Sequence, residues 1–185
     1  TVELLARQRA AGKVGGGPSG GGEVHPNRSR LRGFNIVLVE PEIPTNTGNI
    51  GRLSLASGST LHLIQPFGFE ITDTRLKRAG LDYWQHLDVR TYESLGAFME
   101  LHGDAHFAFL SSKGTQAHYD IDYQDNMFLV FGKESVGLPD DLLERHADRL
   151  FQIPLFSPHI RSLNLANAVG IIVYDGLRHL RQIKG

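Results

Sequence analysis

A chain of 185 residues, 41% hydrophobic, can bury one substantial core and is expected to form one domain with a tail. It has no cysteine, which excludes disulfides, thiolate nucleophiles and cysteine metal sites and agrees with a cytoplasmic protein. The net charge of -1 excludes a uniformly basic nucleic-acid coat, yet six of the 19 basic and only two of the 20 acidic residues lie within residues 1–34, so a basic tail precedes an acidic body.

No stretch approaches the roughly 18 apolar residues of a membrane span, and the amino end lacks the pattern of a signal peptide. Residues 1–11 are expected to form a short helix and the glycine-rich residues 12–22 a flexible linker, with order beginning near Gly33. Such a basic arm suits either phosphate contact or simple solvation. Gly15-Gly16-Gly17-Pro18-Ser19-Gly20 satisfies G-x-G-x-x-G, but the strand and helix that must flank a dinucleotide site are missing, so the match is rejected.

Residues 36–39 read as the first strand, closed by Pro41 and Pro44. A helix is expected from the capping residues Asn46 and Thr47 to Gly58, with Arg52 in its opening turns. Strand two spans residues 60–65. A short polar helix at 73–78 clusters Arg75, Lys77 and Arg78, which either reach phosphates or form a solvated face. Residues 81–89 are ambiguous, and residues 92–101 have helical spacing through Tyr92, Leu95 and Met99. The next strand is 106–110, ending in Ser111-Ser112-Lys113-Gly114.

The apolar run Met127-Phe128-Leu129-Val130-Phe131 fits a strand buried on both faces. Gly132 and Gly137 then permit a tight turn or close backbone approach, and Pro139 suits the first turn of a helix running to His146. After a strand at 150–153, a proline-stiffened loop leads to a last helix for which Ser162 is the expected N-cap. Ala166, Val169, Val173, Leu177 and Leu180 form its core stripe; Asn164, Asn167, Ile171, Tyr174 and Arg178 form a second, which is either a solvated side or a surface for a ligand or a second subunit.

Alternating strands and helices predict an α/β fold with a mostly parallel sheet covered by helices. Ligands in such sheets bind beyond the carboxyl ends of the strands, where residues 46–52, 111–114, 132–137 and 154–167 all fall. Together they predict one crevice with backbone donors and few charges, suited to an uncharged or zwitterionic cofactor. Among the nine histidines no H-E-x-x-H occurs, Ser135 lacks the G-x-S-x-G elbow, and no Walker lysine motif is present, which argues against metal, serine-hydrolase and P-loop chemistry.

Asn46-x-Gly48-x-x-x-Arg52, Phe131-Gly132-x-Glu134-x-x-Gly137-Leu138, and Ile153-Pro154 followed by Arg161-Ser162-Leu163-Asn164-Leu165-Ala166-Asn167-Ala168-Val169 resemble, in order, the three motifs of the SPOUT RNA 2'-O-methyltransferases. Residues 40–50 and Arg75-Leu76-x-Arg78-Ala79-Gly80-Leu81-Asp82-Tyr83 resemble the TrmL branch, which methylates the wobble ribose of certain leucine tRNAs. The resemblance covers residues 34–181 and places the methyltransferase domain at 34–185, outside a basic extension at 1–33. It implies a carboxyl-terminal trefoil knot, a homodimer and S-adenosylmethionine as methyl donor, with no metal. Leu110, Gly132, Gly137, Leu138, Ile153, Ser162 and Leu163 would then hold the cofactor. Arg52 would activate or orient the ribose hydroxyl, with Asn46, Glu134, Ser162 and Asn164 fixing it and the loop, and Arg75, Arg78, Arg161 and Tyr174 would contact RNA. Lys133, Ser135 and Val136 depart from that branch, which more often has proline, threonine and arginine there. A different RNA target is the alternative within the class; outside it stand a non-catalytic RNA-binding module of the same fold and an unrelated nucleotide-binding α/β protein.

Overall fold

The computed structural model describes residues 33–70 and 82–184. Arg75 and Arg78, with the polar helix expected to carry them, lie outside these residues, as do the helix and linker expected within 1–32.

The elements in chain order are β1 (Asn35–Val39), α1 (Pro44–Ser57), β2 (Thr60–Ile64), β3 (Val89–Tyr92), α2 (Leu95–His102), β4 (Phe107–Leu110), β5 (Gln116–Ala117), β6 (Phe128–Phe131), α3 (Asp140–Arg145), β7 (Leu150–Gln152) and α4 (Leu165–Lys184). The strands form one sheet in the order β3-β2-β1-β6-β4-β7-β5, and every neighbouring pair is parallel.

Strand pleating divides the core in two. Ile36, Leu38, Leu129 and Phe131 point to one face, where Ile50 of α1 and Val169, Ile172 and Val173 of α4 cover them. Val37, Val39, Phe128 and Val130 point to the other, beneath Phe98 of α2 and Leu142 and Leu143 of α3. Both faces are thus apolar, which is why β1 and β6 read as continuous hydrophobic runs. On α4, Val169, Val173 and Leu180 are buried as the spacing predicts, and Ile172, outside the predicted stripe, is also fully buried. The second stripe leaves Asn167, Ile171, Tyr174 and Arg178 exposed.

Several boundaries differ from the sequence reading. The first helix starts at Pro44 as N1, with Ile43 at the N-cap and no local side-chain cap. Of the segment read as helix from 92, Tyr92 is instead the last residue of strand β3, whose Val89 and Thr91 are β-branched; α2 starts after Ser94, whose Oγ accepts from the amide of Ala97 at 3.1 Å. Pro139 is an N-cap rather than a first-turn residue. The two-residue strand β5 was not anticipated. Ser162 does not cap α4: Asn164 does, its Oδ1 accepting from the amides of Ala166 (2.9 Å) and Asn167 (3.3 Å).

A buried polar chain crosses the second layer. Asn35 donates through Nδ2 to the Asn126 carbonyl at 2.7 Å, so its Oδ1 faces His62 Nε2 at 2.9 Å. An amide oxygen only accepts, which puts the imidazole proton on Nε2 and leaves Nδ1 to accept from the Tyr92 hydroxyl at 2.8 Å. Burial above all, then Arg90 and His102, lowers the His62 pKa to about 3, so this ring is neutral.

Candidate active site

In the sheet, β1, β6, β4 and β7 are consecutive neighbours, so the segments that follow them line one continuous carboxyl edge. The convergence expected from the sequence is present.

Gly132 leaves β6 against the backbone of its own turn. A Cβ there would lie 2.1 Å from the Gly137 carbonyl carbon, so no side chain fits. Gly137, at φ 74, closes the turn by donating its amide to the Lys133 carbonyl at 2.9 Å. This turn aims Glu134 at the start of α1. The carboxylate accepts from the amides of Glu42 (2.8 Å) and Ile43 (3.1 Å) and from Asn46 Nδ2 (3.2 Å). From 91 residues away it therefore ties down the chain entering α1, at the N-cap Ile43 and the residue before it, and sets negative charge near the positive end of the helix dipole.

Asn46 is buried, and its Oδ1 accepts from Asn164 Nδ2 at 3.0 Å. Because Glu134 can only accept and the α4 amides can only donate, both amide side chains have one permitted orientation. A directional chain thus runs from the α4 amides through Asn164 and Asn46 to Glu134 and the Glu42 and Ile43 amides that precede α1. It joins the segments after β1, β6 and β7.

Two further pairs lace the β1 and β6 segments. The Glu42 carboxylate accepts from the Ser135 amide and hydroxyl, each at 2.9 Å, and Lys133 Nζ meets Glu40 Oε2 at 2.7 Å. The bond to Glu40 raises the Lys133 pKa. Glu40 adopts φ 51, uncommon for a residue with a side chain, as the chain turns out of β1. Sequence reasoning missed both pairs; the acidic Glu40-Pro41-Glu42 beside a cationic, hydroxylic Lys133-Glu134-Ser135 was the available signal.

Arg52 stands apart from this chain. Six residues beyond Asn46, it is turned about 120° around the helix from it. Its exposed guanidinium carbon lies 5.9 Å from the Tyr83 ring centroid, and the Tyr83 hydroxyl donates to the Gly48 carbonyl at 2.8 Å. Tyr83 closes the Arg75–Tyr83 stretch that resembles the TrmL branch, and this contact with Arg52 and Gly48 is what the sequence alone does not indicate for it. Burial raises its pKa, an effect that Arg52 opposes.

Of the residues expected to hold a cofactor, Leu110, Gly132 and Leu138 are buried, Gly137, Ile153 and Leu163 are half-buried, and Ser162 is exposed. Arg161 and Tyr174 are exposed. The cavity of about 470 Å³ lined by His106, Phe107, Met127 and Arg149 opens at the amino ends of β4, β6 and β7, the opposite edge from that at which open parallel sheets bind ligands. Among the described residues, no group of three His, Asp or Glu could hold a metal ion, and no helix is long and apolar enough to cross a membrane.

Residues 33–174 match the model of the SpoU rRNA Methylase family. A tRNA (cytidine(34)-2'-O)-methyltransferase of Escherichia coli is 46% identical over 148 residues, covering 80% of this chain and 94% of the relative. A protein of the same description from Saccharophagus degradans is also 46% identical over 148 residues, covering 80% and 96%. A solved structure described as giving insight into the 2-OH methylation of C/U34 on tRNA superposes with a TM-score of 0.75 at 43% identity, covering 80% of this chain and 97% of that one. AviRb of Streptomyces viridochromogenes, a SpoU methyltransferase solved with the cofactor AdoMet, has a TM-score of 0.70 at 23% identity, covering 84% and 60%, and shares the fold.

Proposed function

We propose that this chain, which belongs to the SpoU rRNA Methylase family, is a homodimeric, S-adenosylmethionine-dependent 2'-O-methyltransferase that acts on the wobble ribose, nucleotide 34, of leucine tRNAs in the cytoplasm. The observation that carries the reading is the Asn164–Asn46–Glu134 chain: it fixes the segments after three strands at one sheet edge, in a chain 46% identical to tRNA (cytidine(34)-2'-O)-methyltransferases.

The carboxyl edge fits such a cofactor. The Gly132 turn brings bare backbone together, and the nearby carboxylates of Glu40, Glu42 and Glu134 are occupied by Lys133, Ser135 and the Glu42 and Ile43 amides. An adenosine that carries a sulfonium and an amino-acid tail, with one positive charge in all, needs backbone donors and apolar walls there rather than a cluster of cations. Leu110, Gly132, Gly137, Leu138, Ile153, Ser162 and Leu163 would hold it, and it supplies an electrophilic methyl group on a sulfonium sulfur.

This chain's task is then to hold a ribose 2'-hydroxyl in line and stabilise the charge that develops on its oxygen. Arg52 is the exposed cation of the first motif. A guanidinium keeps its proton, so it orients the hydroxyl or its neighbouring phosphate rather than acting as base. Glu134 already accepts three hydrogen bonds, so it, Asn46 and Asn164 are positioning residues. Arg161 and Tyr174 meet the RNA, and Ser162 steadies the loop between them and the cofactor.

Topology supports the knot. β7 lies between β4 and β5, although β5 directly follows β4. The connecting loop crosses β7 so closely that a Cβ on Gly114 would lie 2.5 Å from the Phe151 carbonyl carbon. The chain leaving β7 therefore passes beside a loop made earlier, the arrangement a threaded carboxyl end requires. The exposed Ile171 and Tyr174 on α4 support a second subunit against that helix. The methyltransferase domain is assigned to residues 34–185, with the basic extension outside it.

Incubation with labelled methyl donor and unmodified leucine tRNA, followed by nucleoside mapping, tests the reading. Label confined to the ribose of nucleotide 34 is expected; label on another ribose moves the target, and no transfer with cofactor bound favours an RNA-binding module.

A further inference from the structure

Phe156 is 93% exposed, the highest value among the large exposed hydrophobic side chains of the described residues. It lies three residues beyond Ile153, which packs on the core, so its Cα is at most about 11 Å from that residue. The far end of the same loop is tied down by Asn164 through Asn46. The ring therefore stands on the rim of the candidate active site, and Leu155 and Ile160 of the same loop are also exposed.

The loop itself carries no acid. Residues 153–164 contain no Asp or Glu but include His159 and Arg161, within a body that is otherwise acidic. Exposed aromatic and cationic side chains, on a stretch free of carboxylates, match an unpaired nucleotide: a flat apolar base joined to an anionic backbone.

We infer that Phe156 is a stacking platform for an unpaired base flanking the target ribose, with Arg161 on the adjoining phosphate. The inference rests on the RNA methyltransferase reading above and deepens it. A ring stacks on any base, so Phe156 selects for a splayed single-stranded loop rather than for a sequence.

The test uses the full chain and synthetic anticodon stem-loops carrying 2-aminopurine on the 5' or the 3' side of nucleotide 34. Binding of the wild-type protein is expected to quench one probe. F156A and F156L should abolish the quenching and weaken binding about tenfold or more, the loss of one base–aromatic stack, while F156Y and F156W retain both. F156L keeps apolar bulk, so it separates stacking from general hydrophobic contact. Unchanged quenching in F156A, or a variant that binds RNA normally but loses its dimer in sedimentation, would overturn the proposal, the second by showing that another copy of the chain covers the ring. Failure of the wild-type protein to bind either stem-loop would overturn the RNA reading itself, before any variant is compared.

Discussion

Replacing Asn46 by aspartate changes one amide to a carboxylate of the same shape, so no cavity forms and the effect is electrostatic. In the wild-type protein Asn46 Nδ2 donates to Glu134 at 3.2 Å from a nearly water-free position. N46D would place a second carboxylate at that distance. Two unit charges 3.2 Å apart at an effective dielectric of 20 repel by about 5 kcal/mol. Protonating the new carboxyl instead, from an ordinary value near 3.9, costs about 5 kcal/mol at pH 7.5, so the two routes give the same ceiling. Glu134 is half-exposed, and screening reduces the expected loss to roughly 2–4 kcal/mol. Urea denaturation of wild type and N46D across pH measures this. The variant's carboxyl has a raised folded-state pKa, so the folded state binds more protons than the unfolded, and the deficit should shrink as pH falls from 7.5 towards 4.5. A difference below about 1 kcal/mol at pH 7.5, or one that does not narrow on acidification, would refute the directional chain.

R52A should lower methyl transfer by about 100-fold or more while cofactor affinity, read by calorimetry, stays within about twofold; full activity would remove Arg52 from the mechanism. Because the folded-state pKa of His62 is depressed to about 3, its contribution is fully present above pH 6.5 and is lost as pH falls towards 3, on the order of 5 kcal/mol in all. H62Q should flatten that part of the stability–pH curve, which urea titrations at pH 4 and 7 would reveal. G132A must push the turn away from Gly137, and thermal denaturation should show a loss of about 3 kcal/mol; a smaller loss than about 1 kcal/mol would mean the turn yields easily.

The legible parts of the fold are those written in contiguous residues. β1 and β6 are apolar on both faces because helices cover both, and Gly58 ends α1 in the left-handed conformation its position suggested. β3 was hidden because Val89-Arg90-Thr91-Tyr92 is short, only partly buried and held at the sheet edge by β2 alone, so its pattern competes poorly with the helical spacing that follows. Ser162 and Asn164 are both good caps by residue type. What decides between them is Asn46, 118 residues earlier, to which only Asn164 is bonded.

The same reasoning explains the candidate site. Glu134, Asn46 and Asn164 could be picked out by motif, but a motif does not say whether a carboxylate is a base or a brace. Here the acceptors of Glu134 are taken by the amides of Glu42 and Ile43, in the chain entering α1, and by one side-chain amide. The site is therefore coupled to the start of a helix and to the turn at Gly132, and a change at any of the three residues would displace the segments after β1, β6 and β7 together. Arg52, on another face of the same helix, is carried by that framework without belonging to it. R52A should consequently leave the folding midpoint within about 0.5 kcal/mol of wild type while N46D does not, and equal destabilisation by the two would mean that the guanidinium is part of the brace.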